Sequence, residues 1–244
     1  DLLGAVFFAA TRREQGIILK WRPGGRLVTF ASGLKAPQGI AFEPEGHLLV
    51  ADSGTHSRLL RFRAPPPPTV SAQAVTNQST VSVTGQAEPG SLVSVSRADD
   101  FETALASTTA GVTGSFTLAV PLVPDSGNAL AITATGARGF GLTGSAADLS
   151  VFHDGQPPGV TILYPPAGAF VRGGIALEAR GADAGSGVTA LFFTLDGRTL
   201  GTAANPDPTR SFLARLPLDT MALLDGTHTF GVTAIDRAGN SAST

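Results

Sequence analysis

The chain has 244 residues, a net charge of −2 and only 15% charged residues, so no bulk field draws it to nucleic acid or to an acidic membrane surface. It has no cysteine, which excludes disulfides, thiolate metal sites and a thiol nucleophile. No apolar run approaches the roughly 18 residues that a membrane-spanning helix needs. Glycine (30) and proline (17) are abundant, and valine, threonine and serine recur throughout, a mixture suited to many short strands joined by tight turns. The first residues, Asp1-Leu2-Leu3-Gly4, read as neither a native start nor a signal peptide.

Residues 1–63 alternate in short bursts. Strands are predicted over 5–10, 16–21, 26–30, 39–42, 47–51 and 58–62, separated by Pro23-Gly24-Gly25, Glu43-Pro44-Glu45-Gly46 and Asp52-Ser53-Gly54. The run Ala64-Pro65-Pro66-Pro67-Pro68 follows and reads as a Pro-rich linker of polyproline II type. Residues 69–152 alternate strictly: Val81 and Val83 against Ser82 and Thr84, then Val93 and Val95, then Phe116, Leu118 and Val120, then Leu130, Ile132 and Ala134. Residues 153–244 repeat the pattern with Ile175, Leu177 and Ala179, then Leu191, Phe193 and Leu195, then Phe230, Val232 and Ala234. One apolar flank per strand is the signature of two sheets packed face to face. Asp196-Gly197 is a hairpin signal of type I′, and Glu88-Pro89-Gly90 a turn between paired strands.

Three resemblances sharpen this reading. Pro37-Gln38-Gly39-Ile40-Ala41-Phe42, Gly46-His47-Leu48-Leu49-Val50-Ala51-Asp52-Ser53-Gly54 and Arg58-Leu59-Leu60-Arg61-Phe62 resemble a repeat of NHL-type six-bladed β-propellers. Gly85-Gln86-Ala87-Glu88-Pro89-Gly90-Ser91, Gly114-Ser115-Phe116 and Leu130-Ala131-Ile132-Thr133-Ala134-Thr135 resemble bacterial Ig-like repeats of large surface proteins. A third set begins with Pro157-Pro158-Gly159-Val160-Thr161-Ile162 and includes Leu195-Asp196-Gly197. It continues through Asp225-Gly226-Thr227-His228-Thr229-Phe230 to Asp236-Arg237-Ala238-Gly239-Asn240. It resembles another bacterial Ig-like type, often appended to secreted enzymes and adhesins. The implied architecture is all-β: about one and a half C-terminal blades of an incomplete β-propeller over 1–63, then two tandem Ig-like β-sandwiches over 69–152 and 153–244. The last strand is expected to be short or truncated, and both ends read as boundaries within a longer protein.

The implied function is a non-catalytic segment of a secreted or cell-surface bacterial protein, a structural spacer and an adhesion or assembly module. Sandwich edge strands would pair with protein partners or with further copies in a filament, sheath or surface layer. One alternative is an accessory part of a lactonase-like or lyase-like propeller enzyme whose catalytic residues lie upstream. Another is a carbohydrate-binding module, disfavoured by a single Trp and a single Tyr.

No Gly-x-Ser-x-Gly occurs and no phosphate-binding glycine loop precedes a helix, so no catalytic or cofactor-binding residue is expected. His47 and His228 fall in strand patterns, His56 in a turn and His153 before the third segment; no two share metal-ligand spacing. In lactonase-type propellers acidic side chains hold a divalent metal near the central channel, and Asp52 is placed for such a role. A turn cap is its plainer reading. Arg12, Arg13, Arg22 and Arg26, interleaved with Trp21, make a mildly basic patch read as a solvated rim rather than a nucleic-acid contact. Of the pair Phe192-Phe193, one ring must face outward. The remaining constellation is acidic. Asp154 precedes the first strand of the third segment, Asp183 lies in its B–C loop and Asp236 in its F–G loop. Asp125 comes from the E–F turn of the segment before. All four are expected at one pole, where hard oxygen ligands would hold Ca²⁺; the competing reading is that aspartate favours turns for local backbone bonds.

Overall fold

The computed structural model describes residues 4–12, 15–22, 24–54, 56–136 and 141–244. Arg13 of the basic patch lies outside them. Among the described residues all regular structure is β, apart from one turn of 3₁₀ helix, Thr220–Ala222. The chain divides into two compact units: residues 1–73, 80–122 and 128–151 in the first, and 74–79, 123–127 and 152–244 in the second.

The first unit opens with two three-stranded antiparallel sheets. One holds β1 (Val6–Arg12), β2 (Gln15–Trp21) and β3 (Val28–Leu34); the other holds β4 (Pro37–Phe42), β5 (Leu48–Asp52) and β6 (Arg58–Phe62). Sheets this narrow cannot bury an apolar face alone. The two share one core, in which Phe7, Ile18, Leu48 and Val50 are buried together with Ala64 and Leu142. Phe7 meets Phe30 and Phe42 edge to face at 5.2 and 5.3 Å, and Phe30 meets Phe62 at 5.3 Å. Residues 64–68 are therefore not a free-standing linker. Ala64, Pro65 and Pro68 are buried, and the Ala64 N–H donates to His47 Nδ1 (2.8 Å). A side chain at Gly144 would strike the Pro65 carbonyl at 1.9 Å.

The chain then builds a sandwich. Its strands are β7 (Thr69–Ser71), β8 (Val75–Thr76), β9 (Thr80–Gln86), β10 (Leu92–Arg97), β11 (Asp100–Thr109), β12 (Ser115–Pro121), β13 (Gly127–Thr135) and β14 (Ala147–His153). One sheet runs β12-β9-β7 and the other β11-β10-β13-β14, with β8 paired in parallel to the end of β14. The expected alternation fills the core: Val81, Val83, Val93, Val95, Phe116, Leu118, Val120, Leu130 and Ile132 all face inward. Glu88-Pro89-Gly90 makes its turn, with Gly90 at φ +75° and the Ser91 N–H returning to the Glu88 carbonyl. Strand β13 departs from strict alternation. Ala131 and Thr133, on its polar flank, are buried as well, and Thr135 hydrogen-bonds Thr143 of the segment that follows (2.9 Å).

In the second unit β15 (Gly159–Tyr164), β16 (Gly174–Ala182) and β19 (Ser211–Asp219) form one sheet. Strands β18 (Arg198–Thr209), β17 (Val188–Leu195), β20 (Phe230–Asp236) and β21 (Ser241–Ser243) form the other, in that order. Three strands facing four is an Ig-like arrangement. Leu177, Ala179, Leu191, Phe193, Val232 and Ala234 make the core, and Phe193 stacks on Phe230 at 6.0 Å. The hairpin at Asp196-Gly197 has φ of +51° and +77°, as a type I′ turn requires. Edge strand β18 carries Pro206 and Pro208, which blunt it against pairing. Phe193 is fully buried and Phe192 half-buried on the opposite flank.

Register makes a direct prediction. Phe193→Ala should cost about 3–5 kcal/mol of unfolding free energy in urea followed by circular dichroism, and Phe192→Ala distinctly less. The reverse order would mean that β17 is one residue out of register.

Candidate metal centre

Strand direction decides where the acidic residues meet. Within the second unit β16 ends, β17 begins and β20 ends at the same pole at which β15 starts. Asp183 follows β16, Asp236 closes β20 and Asp154 lies ahead of β15. Each offers a carboxylate oxygen, and the three oxygens lie within 4.8 Å of one another. All three residues are buried, at 2%, 5% and 2% exposure for Asp154, Asp183 and Asp236.

Each carboxylate also organises backbone. Asp154 accepts the Gln156 N–H through Oδ1 (3.1 Å) and the Ser186 N–H through Oδ2 (2.7 Å). Asp183 Oδ2 accepts the Gly187 N–H. Asp236 Oδ1 accepts the Gly239 and Asn240 N–H groups (2.7 and 2.8 Å), and its Oδ2 accepts Asn240 Nδ2 (2.8 Å). A carboxylate offers about four acceptor positions, so these six bonds leave lone pairs on all three groups. Among the described residues no lysine, arginine or histidine forms an ion pair with any of them. Buried charges of one sign at this spacing call for a counter-charge. The donor set is all carboxylate oxygen, which suits Ca²⁺ and disfavours zinc, whose sites draw on nitrogen and sulfur. A cleft of about 370 Å³ lined by Asp154, Asp183, Gly185 and Asp125 adjoins the cluster.

Asp125 stands apart from the triple. It accepts the Gly155 N–H (2.7 Å) and Gln156 Nε2 (2.8 Å), which hold its carboxyl below the usual range against the opposing effect of burial. Its own N–H donates to His153 Nδ1 (3.0 Å), so His153 is a buried acceptor. Three contributors carry no sequence signal of their own. Asn240 Nδ2 reaches the Asp154 carbonyl (2.9 Å), Asn77 Nδ2 reaches Asn240 Oδ1 (3.1 Å), and Gly185 leaves room for the Asp154 carboxylate. Their spacing along the chain, 77 to 185 to 240, is legible only once the loops are folded together.

The other residues singled out by sequence have structural work. Asp52 is buried and accepts the Lys35 and Ala36 N–H groups (2.9 and 2.7 Å) and the Arg58 guanidinium (2.9 Å). It caps the turn ahead of β4. Burial opposes its ionisation, and the bonds from Ala36, Arg58 and Lys35 override it, so its carboxyl sits below the usual range. Arg22 is half-buried rather than part of an open rim, and burial lowers its pKa. Lys20, two residues away on β2, is buried with Nζ on the Gly141 carbonyl (2.7 Å) and over the Phe7 ring; burial first, then Arg22, brings it to about 8. His228 does not lie in a strand. It sits in the loop ahead of β20, where its ring is drawn to Asp196 (2.6 Å).

Comparison with known proteins bears on residues 64–151, which match the family model described as Bacterial Ig domain (Big_6). Over those residues the chain is similar to bacterial Ig domains. No curated protein matches the chain. Among solved structures, the fibronectin(III)-like modules of CbhA from Clostridium thermocellum align at TM-score 0.41 and 14% identity, over 71% of this chain and 89% of that one. The human OSCAR ligand-binding domain aligns at 0.37 and 13%, over 75% and 96%. A tetra-tandem repeat in the extending region of a large adhesion protein aligns at 0.32 and 18%, over 98% and 73%. Among the described residues β1–β6 form two separate three-stranded sheets. Among the described residues no helix is long and apolar enough to cross a membrane.

The crowding around Asp154 is testable. A Cβ at Gly185 would lie 2.4 Å from Asp154 Oδ2, whereas at Gly159 the nearest atom is 3.6 Å away. Gly185→Ala should lower thermal stability by about 1–3 kcal/mol, and Gly159→Ala by much less.

Proposed function

We propose that this chain is a non-catalytic stretch of a secreted or cell-surface bacterial protein, serving as spacer and as adhesion or assembly module, whose second unit is tightened by Ca²⁺ at Asp154, Asp183 and Asp236. The observation that carries the proposal is the buried cluster of three carboxylates without a cationic partner among the described residues. Those residues stand on two sandwich loops and on the approach to β15. An ion shared by them would tie the segment 152–156 to the two sandwich loops at one pole, removing freedom where a spacer must be stiff. The Bacterial Ig domain match of residues 64–151 supports the surface setting. In this reading β1–β6 are neighbouring blades of a β-propeller. Two antiparallel sheets of three strands packed face to face through Phe7, Phe30, Phe42 and Phe62 support that assignment. The edge strands β12 and β21 are the proposed routes to protein partners or further copies.

Isothermal titration and thermal melts with CaCl₂ after chelation test the cation. At a hundredfold excess over Kd, Ca²⁺ should stabilise by about 2.7 kcal/mol. Asp183→Asn should abolish both the heat and the shift, and Asp125→Asn should leave them largely in place. Absence of heat and of any melting shift at ~1 mM Ca²⁺, within the range at which extracellular modules bind, overturns the proposal.

A further inference from the structure

At the pole opposite the carboxylate cluster, residues 220–229 connect β19 to β20. We propose that this loop is held by a proton-dependent latch: His228, clamped between the Asp196 carboxylate and the Leu224 carbonyl, fastens the loop to the β17–β18 hairpin in acid and lets it go in alkali. The inference is independent of the cation reading, which concerns the other ends of these strands.

The geometry is specific. His228 Nδ1 is 2.6 Å from Asp196 Oδ2, and Nε2 is 2.8 Å from the Leu224 carbonyl oxygen. Both neighbours are acceptors. A neutral imidazole donates from one nitrogen only, so it must turn a lone pair toward one of the two oxygens. The imidazolium satisfies both. Asp196 is fixed in place without the histidine, since its Oδ1 accepts the Thr229 N–H (2.8 Å) and its backbone occupies the type I′ turn. The loop has few other ties. Thr220 bonds the Gly173 carbonyl, the Met221 N–H donates to Asp219 Oδ1, and the Leu223 N–H returns to the Thr220 carbonyl. Thr229 is tied to Asp196 by its own N–H and by the Asp196 N–H (2.8 Å) whatever the state of the ring; from Leu224 to His228 no regular structure holds the chain, and the two ring bonds restrain that stretch. That stretch displays Leu224 at 88% exposure, next to Met221 at 63%. The latch therefore governs how the loop presents apolar side chains.

The charged groups around the ring come from two elements. The β17–β18 turn supplies Asp196, with Arg198 just beyond it also acting on that carboxylate. The loop itself carries Asp225, which makes no ion pair with the ring. The Asp196 bond first, then the Leu224 carbonyl, raise the ring above its ordinary value against a smaller opposing effect of burial. The His228 bond and the Thr229 N–H keep the Asp196 carboxyl below its usual range, so it stays ionised while the ring titrates. A raised histidine stabilises the closed loop fully below its unfolded pKa near 6.5, and the contribution fades as pH climbs through the folded value.

The test uses the full chain. NMR titration of the histidine rings, with His228→Gln to assign the signal, should place His228 above its ordinary value near 6.5. Hydrogen exchange of residues 220–229 between about pH 5.5 and 9, corrected for intrinsic rates, should then accelerate tenfold for every unit by which His228 exceeds its ordinary value. Asp196→Asn should lower the ring toward its ordinary range and weaken the profile, while the amide oxygen can still accept from Thr229. A His228 titration at or below 6.5, or loop exchange that follows the intrinsic rate alone in the unaltered chain, overturns the latch. The unaltered chain decides this even if a variant fails to fold.

Discussion

Every sheet in the two opening sheets and in the second unit has only three or four strands, and each strand carries one strongly apolar flank. A sheet that narrow cannot close on itself, so a facing layer is obligatory. This constraint generates the paired cores around Phe7 and Leu48 and around Leu177 and Phe193. The loops follow from it. Once two sheets are pressed together, strand ends are gathered at two poles, and side chains distant in sequence become neighbours. The carboxylate cluster and the histidine latch are both products of that gathering, at opposite ends of the same strands.

The two poles solve the problem of buried or half-buried charge differently. At one, Asp196 is matched by His228 and by a backbone N–H, so the pair carries its own counter-charge. At the other, three carboxylates share a space of a few ångströms with backbone N–H donors and an asparagine amide but no cationic side chain among the described residues. Hydrogen bonds from N–H dipoles soften the repulsion of like charges without neutralising them. The difference explains why one pole responds to protons and the other is assigned to a divalent ion. Asp52 is a third solution: two N–H groups and the Arg58 guanidinium satisfy it completely as a turn cap.

Much of the fold was legible because period-two alternation and turn residues act locally. Val93 and Val95, or Leu191 and Phe193, declare their inward flank by spacing alone, and Asp196-Gly197 declares its turn by the rarity of residues that tolerate positive φ. The placing of Asp154, Asp183 and Asp236 together was also within reach, because strand direction in a sandwich dictates which loops share a pole. The contributions of Gly185, Asn77 and Asn240 were not. A glycine that makes room for a carboxylate, or an amide that bridges two loops, has no periodicity to betray it. His228 was misplaced for a related reason: threonines flank it in an apparent alternation, while in the fold it lies in the loop ahead of β20, beside Asp196.

Sequence by itself determined the all-β class, the segments of alternating strands and the poles to which acidic loops belong, since these follow from short-range sterics and the two-residue period of an extended chain. Tertiary structure alone decided that Ala64 and Pro65 are packed, that β13 is covered on both flanks, and that three carboxylates converge while Asp125 turns aside to Gly155. Those outcomes depend on distances between segments tens to more than a hundred residues apart, and no local propensity encodes such distances.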